Sequence, residues 1–129
     1  MNIAELIKYR ISRAWEAYEE AKILSKENHW NTVANRLYYS CFYIASALLI
    51  QQGKRFESHK GVKSEFHRSF VKEGIVSKES GKTFNRLFNL RHEGDYADFK
   101  RLTEEDISPF MNETKKFITE VESLIHNDE

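Results

Sequence analysis

The stretch NTVANRLYYSCFYIASALLIQQ, residues 31–52, decides the fold. Read as a helix, its apolar residues Val33, Leu37, Tyr38, Tyr39, Cys41, Phe42, Tyr43, Ile44, Ala45, Leu48 and Leu49 surround the axis almost completely. A surface helix keeps its apolar residues to one stripe, so a helix apolar on every side belongs at the centre of a bundle. Gly53 follows as a C-terminal stop. Arg36 interrupts the apolar surface. It cannot give up its proton and must find an acceptor. Tyr39 and Ser40 lie three and four residues on and share its face. Two readings are open for Arg36: an ion pair with an acidic residue of another helix, or a phosphate contact at the mouth of a groove.

Upstream, Ile3, Leu6, Ile7, Ile11, Ala14, Tyr18, Ala21 and Leu24 recur at spacings of three and four, which predicts a first helix over 3–27 with Trp15 beside the stripe. Downstream, Ser58 can cap a short third helix over about 59–72, with Val62, Phe66 and Phe70 on one face and Gly74 as its breaker. A fourth helix over about 77–93 carries Phe84, Leu87, Phe88 and Leu90 and ends near Gly94. Residues 95–102 read as a loop. Thr103 then opens a last helix, with Glu104, Glu105 and Asp106 at its positive end. Pro109 lies too deep for the first turn of that helix. Either the helix kinks there, or Ser108 is the cap with proline at the first helical position. No segment alternates with a strand period. The expectation is an all-α, up-and-down four-helix bundle with an additional short helix, formed by one domain over 1–129.

Composition narrows the function. The chain has 20 basic and 20 acidic residues, unevenly placed. Residues 1–53 carry six basic and five acidic side chains, residues 54–101 twelve and seven, and residues 102–129 two and eight. The middle can offer a basic surface to phosphates. The acidic tail either docks something cationic or neutralises the middle in the folded domain. Cys41 is the single cysteine and sits in an apolar run, so it reads as a small hydrophobe. The N-terminus lacks the apolar stretch of a signal peptide. The apolar run Leu37–Ile50 falls short of the about 20 residues that cross a bilayer. A cytoplasmic location is expected.

There is no phosphate-binding glycine loop, no paired-cysteine zinc pattern and no histidine pair at helical metal spacing, and nothing in the sequence asks for a cofactor. One polar stretch remains, Leu90-Arg91-His92-Glu93-Gly94-Asp95-Tyr96-Ala97-Asp98-Phe99. It brings cation, imidazole, carboxylate and phenol together. In RNA cleavage a histidine can move the proton of the 2′-hydroxyl or of the leaving group, and an arginine can stabilise charge on the phosphate. The same residues also suit a helix terminus, where Arg91 and His92 favour the negative end of the dipole and Asp95 pairs with Arg36 or Arg91.

Three pieces in order, Asn35-Arg36-Leu37-Tyr38-Tyr39-Ser40-Cys41-Phe42-Tyr43, Ser58-His59-Lys60-Gly61-Val62 and Leu87-Phe88-Asn89-Leu90-Arg91-His92-Glu93-Gly94-Asp95-Tyr96, resemble small stand-alone prokaryotic HEPN-domain proteins over nearly the whole chain. The resemblance implies a helical bundle that often forms a homodimer. It implies a metal-independent ribonuclease serving as a toxin or defence effector, commonly with a minimal nucleotidyltransferase as antitoxin. The family's catalytic pattern is an arginine, often followed by a polar residue, and a histidine after four to six intervening positions. Arg91 with His92 matches its first half, but no histidine follows among Asp95, Tyr96, Ala97 and Asp98. Arg86 and His92 have the spacing, yet six positions on a helix turn through about 240°, so they do not share a face. The resulting assignment gives Arg91 the scissile phosphate and His92 or Tyr96 the proton. Arg36 and Asp95 form a supporting pair, with Tyr39, His59 and Lys60 as further binding residues. The rival assignment is a non-catalytic nucleotide- or protein-binding module, in which the same cluster binds a nucleotide or only fixes helix packing while the dimer and the acidic tail recruit a partner.

Overall fold

The structure, a computed structural model, describes residues 2–96 and 101–125, with only the backbone for residues 95 and 96. Among these, every regular element is helical: α1 (Ile3–Lys26), α2 (Trp30–Gln51), α3 (His59–Phe66), α4 (Lys78–Tyr96), α5 (Glu104–Ile107) and α6 (Pro109–Glu122). The expected all-α bundle is the observed one, with four long helices and two short ones.

Helix α2 packs against all five others. Leu37, Tyr38, Ser40 and Cys41 are fully buried in near succession, which only a helix enclosed on all sides can achieve. By length and composition α2 could cross a membrane, more so than the run Leu37–Ile50 suggested. Yet 72% of its most apolar window is buried inside the bundle, as in a core helix. Helix α1 packs mainly on α2, and its fully buried Ala14, Ala17 and Ala21 are small residues that let neighbouring helix axes approach. Asn2 and Glu5 close the start of α1 reciprocally: Asn2 Oδ1 accepts from the Glu5 N–H at 2.8 Å, and Glu5 Oε1 accepts from the Asn2 N–H at 3.2 Å. Gly53 ends α2 at φ 78°, a backbone conformation that favours glycine.

The third helix differs from expectation in its second half. Beyond Phe66 it widens into a π-helical turn over His67–Val71, where the Lys72 N–H reaches back to the His67 carbonyl at 2.8 Å. Val62, Phe66 and Phe70 still share the buried face. His67 straps this turn to α4, with Nδ1 2.8 Å from the Lys63 carbonyl and Nε2 3.0 Å from the Gly81 carbonyl. A Cβ at Gly81 would stand 2.8 Å from Val71 Cγ1, so only glycine permits this approach without a shift.

Helix α4 runs three residues past its expected end, to Tyr96. Its start is held from a distance: Glu120 of α6 accepts from the Ser77 N–H at 2.8 Å and from the Ser77 and Ser80 hydroxyls at 3.0 and 2.5 Å. Both readings of the last helix hold in part. Thr103 and Asp106 form a capping box for the single turn α5, and Pro109 opens α6 at a helical Ser108 that makes no side-chain cap. Proline lacks the N–H that would continue the ladder, so the helix restarts there. Cys41 is fully buried, and burial pushes its thiol pKa up, so it behaves as the small hydrophobe expected.

Candidate functional site

Helices α2, α3 and α4 converge on Tyr38. The position of α3 is set by Ser58, whose Oγ accepts from the Gly61 N–H at 2.9 Å. A Cβ at position 61 would itself stand 2.9 Å from that oxygen, which gives the Ser-His-Lys-Gly order a physical reason. The cap places His59 at the first position of α3, facing α2. Lys63, one turn later, shares the face and turns toward α4.

His59 Nδ1 and the Tyr38 hydroxyl share a 3.0 Å hydrogen bond. The imidazole stacks on Phe42 with centroids 4.3 Å apart at 25°, and meets Tyr39 edge-on at 5.5 Å. From α4, the Arg91 guanidinium carbon lies 4.8 Å from the Tyr38 ring centroid and 6.0 Å from that of Phe88. Lys63 Nζ sits 4.8 Å from the Phe88 centroid and donates to Asn85 Oδ1 at 2.9 Å. The result is an imidazole and a guanidinium gathered around one buried phenol.

Burial, reinforced by the positive charge of Arg91, lowers the His59 pKa from its ordinary 6.5. At neutral pH the imidazole is therefore uncharged. Burial also pushes the Tyr38 phenol up, against the pull of Arg91, so Tyr38 stays protonated. With Nδ1 engaged by Tyr38, Nε2 is the nitrogen left to a ligand. When Nδ1 carries the proton, Nε2 holds a lone pair and can accept one.

The residues expected to form one site divide into two neighbourhoods. Arg91, His59 and Tyr39 gather around Tyr38. Arg36 faces the other way, toward α1. Its Nη1 donates to Glu20 Oε1 at 3.0 Å, its Nε and Nη2 donate to Asn35 Oδ1 at 3.2 and 2.9 Å, and its carbon lies 5.1 Å from the Tyr39 centroid. Of the two readings of Arg36, the structure takes the ion pair, and Glu20 is the carboxylate that meets it. The expected pairing with Asp95, and the proposed role of Tyr96, concern side chains outside the described residues. His92 and Lys60 are exposed. Among the described residues, no three His, Cys, Asp or Glu side chains gather as a metal site.

Sequence reasoning missed four participants. The Tyr38 hydroxyl was hidden among neighbouring aromatics. Lys63 and Asn85 form a pair only because α3 and α4 lie side by side. Asn31 ties two distant segments: its Nδ2 donates to the Gly94 carbonyl at 3.1 Å and its Oδ1 accepts from the Leu102 N–H at 2.8 Å. This clamp ties Gly94 near the end of α4, and Leu102, to the start of α2.

Residues 7–124 match the HEPN domain family. The chain belongs to that family. A UPF0332 protein of Thermotoga maritima is 39% identical over 123 residues, covering 95% of this chain and 93% of the relative. A protein of Methanocaldococcus jannaschii named "Putative toxin MJ0142" is 27% identical over 115 residues, covering 84% of this chain and 78% of the relative. A UPF0332 protein of Archaeoglobus fulgidus is 20% identical over 122 residues, covering 95% and 97%. In this HEPN chain, His59 of α3 and Arg91 of α4 share Tyr38 as a common contact.

Proposed function

We propose that this HEPN protein is a metal-independent endoribonuclease of the toxin type, with Arg91 and His59 as its catalytic residues. The observation that carries the reading is the shared contact of both groups with Tyr38. His59 is bound to the Tyr38 hydroxyl at 3.0 Å, and Arg91 lies over the Tyr38 ring at 4.8 Å. In the reaction, His59 Nε2 takes the proton of a ribose 2′-hydroxyl. The 2′-oxygen bonds to phosphorus, the bond from phosphorus to the 5′-oxygen breaks, and water returns a proton to the leaving oxygen. The products are a 2′,3′-cyclic phosphate and a 5′-hydroxyl. Arg91 stabilises the charge that gathers on the phosphoryl oxygens. An uncharged imidazole at pH 7 suits the base role.

The same reading includes a homodimer and a nucleotidyltransferase antitoxin. The toxin name of the Methanocaldococcus jannaschii relative supports a toxin role. The eight acidic against two basic side chains of residues 102–129 suit a partner with a basic face. Digestion of RNA in the presence of EDTA by wild type, Arg91→Ala and His59→Ala tests the activity. Cleavage by wild type alone is expected, and equal background cleavage by all three would sink the reading. A second reading, a non-catalytic nucleotide- or protein-binding module, is favoured by the absence of histidine from Glu93 to Asp98. It predicts RNA retained and uncut.

A further inference from the structure

His59 has a second side. It also lines a cleft of about 430 Å³ between α1, the end of α2 and the segment leading into α3, a size within the range of small-ligand sites. Phe42 forms part of its wall, and Arg10 and Arg55 bring two guanidiniums to it.

The partner of Arg10 sets this cleft apart. Three arginines line the seam between α1 and α2, and two of them meet carboxylates: Arg13 pairs with Glu16 and Arg36 with Glu20. Arg10 instead donates from Nη1 to the neutral Ser46 hydroxyl at 3.0 Å, and forms no ion pair among the described residues. A hydroxyl fixes the guanidinium in place without cancelling its charge. Arg55 likewise has no ion pair among the described residues. Lys54, which also lines the cleft, is spent elsewhere, with Nζ donating to Glu65 Oε2 at 2.7 Å and to Ser69 Oγ at 3.1 Å. One carboxylate, Glu57, lines the cleft against the two open guanidiniums. The balance favours an anion, and the guanidinium fork suits the oxygens of phosphate. The stacked rings of Phe42 and His59 offer aromatic surface, as single-strand binding sites do.

We infer that this cleft is a nucleotide subsite, which holds the nucleotide next to the scissile phosphodiester of a single-stranded RNA, with Arg10 and Arg55 on its phosphate. The inference rests on His59 being the base of the cleavage site, because the shared imidazole is what joins cleft and site. A duplex keeps its bases paired and stacked on one another, whereas the rings of Phe42 and His59 can serve only an unpaired base.

The test separates binding from chemistry. A short 2′-O-methyl RNA has no free 2′-hydroxyl and cannot be cut by this route. Its binding to the full chain is followed by fluorescence anisotropy across a salt series, for wild type, Arg10→Gln, Arg55→Gln, the double variant and Glu57→Gln, with thermal melts to establish that each is folded. Each arginine variant is expected to weaken binding about tenfold, the effect of losing one charge-assisted contact. The double variant should also lower the salt slope by roughly 0.7 for the phosphate lost. Glu57→Gln should bind more tightly. Absence of binding by wild type, or unchanged affinity and slope in the folded double variant, overturns the subsite. RNA binding that depends on Arg10 and Arg55 without cleavage of ordinary RNA would overturn the subsite as a neighbour of a scissile bond, together with the nuclease reading, and leave only a phosphate-binding cleft. Cleavage indifferent to both arginines would overturn the subsite and leave the nuclease reading standing.

Discussion

Two arginines lie over neighbouring tyrosines of the same helix, and their surroundings differ in kind. Arg36 sits 5.1 Å from the Tyr39 centroid and its charge is met by Glu20 of α1. Arg91 sits 4.8 Å from the Tyr38 centroid, beside an imidazole whose protonation it disfavours. Consecutive residues on a helix point about 100° apart, so Tyr38 faces the seam toward α3 and α4 while Tyr39 stands between the two seams, edge-on to His59 at 5.5 Å and under Arg36. The seam toward α1 is closed by a carboxylate and holds the bundle together. The seam toward α3 and α4 gathers groups whose ionisation the packing has tuned. Adjacency in the sequence therefore says little about which arginine works with which partner.

The comparison can be broken first by exchanging the two losses. Arg91→Ala should reduce RNA cleavage by about 100-fold or more, as removal of a charge-stabilising donor does. Arg36→Ala should cost about 1–2 kcal/mol of stability from its ion pair and its ring contact, while cleavage per folded molecule persists. Denaturant titration and single-turnover cleavage on both variants measure the two effects. Equal stability losses with equal activity losses would merge the two neighbourhoods into one.

A smaller contrast lies in the tyrosines. Tyr38→Phe keeps the ring and removes the hydroxyl that orients His59, so about 1 kcal/mol of stability and about tenfold in rate should be lost. The Tyr39 hydroxyl makes no hydrogen bond among the described residues, and Tyr39→Phe should stay within about 0.5 kcal/mol of wild type.

The titrating groups separate the same regions by pH. Because the folded chain holds the His59 pKa below 6.5, the unfolded chain takes up that proton first as pH falls. Stability from this group is therefore complete above about 6.5 and declines below it, through the folded value. Glu65 acts in a lower window. Lys54, then Ser69 and Arg68, hold its carboxyl down at about 2 from an ordinary 4.5, so its contribution is present above 4.5 and is lost as pH falls toward 2. Melting temperatures across pH should show both declines, with His59→Gln flattening the upper one and Glu65→Gln the lower. A purely local effect comes from α5: Thr103→Ala opens its capping box and should cost about 1 kcal/mol.

The fold was legible wherever the signal was local and periodic. The apolar residues around α2 announce its central place, Ser58 and Thr103 cap as their chemistry suggests, and Gly53 stops α2. Pro109 allowed two readings because both are partly true, a turn capped at Thr103 and a restart after Ser108. The π-helical turn at His67–Val71 was not legible, since its apolar spacing is the same as that of an ordinary helix. The candidate site was legible in its parts and not in its assembly. Arg91, His59 and Tyr39 could each be singled out, but the contact of His59 with Tyr38 depends on how α3 crosses α2. Similarly, Glu20 meets Arg36 only through the pairing of α1 with α2, where no short-range pattern marks it. His92 drew attention because it follows Arg91 in the chain, yet one step along a helix turns a side chain away from its neighbour's face.

That divergence between His59 and His92 offers the most direct test. Single-turnover cleavage of a single-stranded RNA, with EDTA present, is compared for wild type, His59→Ala and His92→Ala. The account predicts that His59→Ala loses about 100-fold or more in rate while His92→Ala stays close to wild type. Loss of cleavage in His92→Ala with full activity in His59→Ala would contradict it.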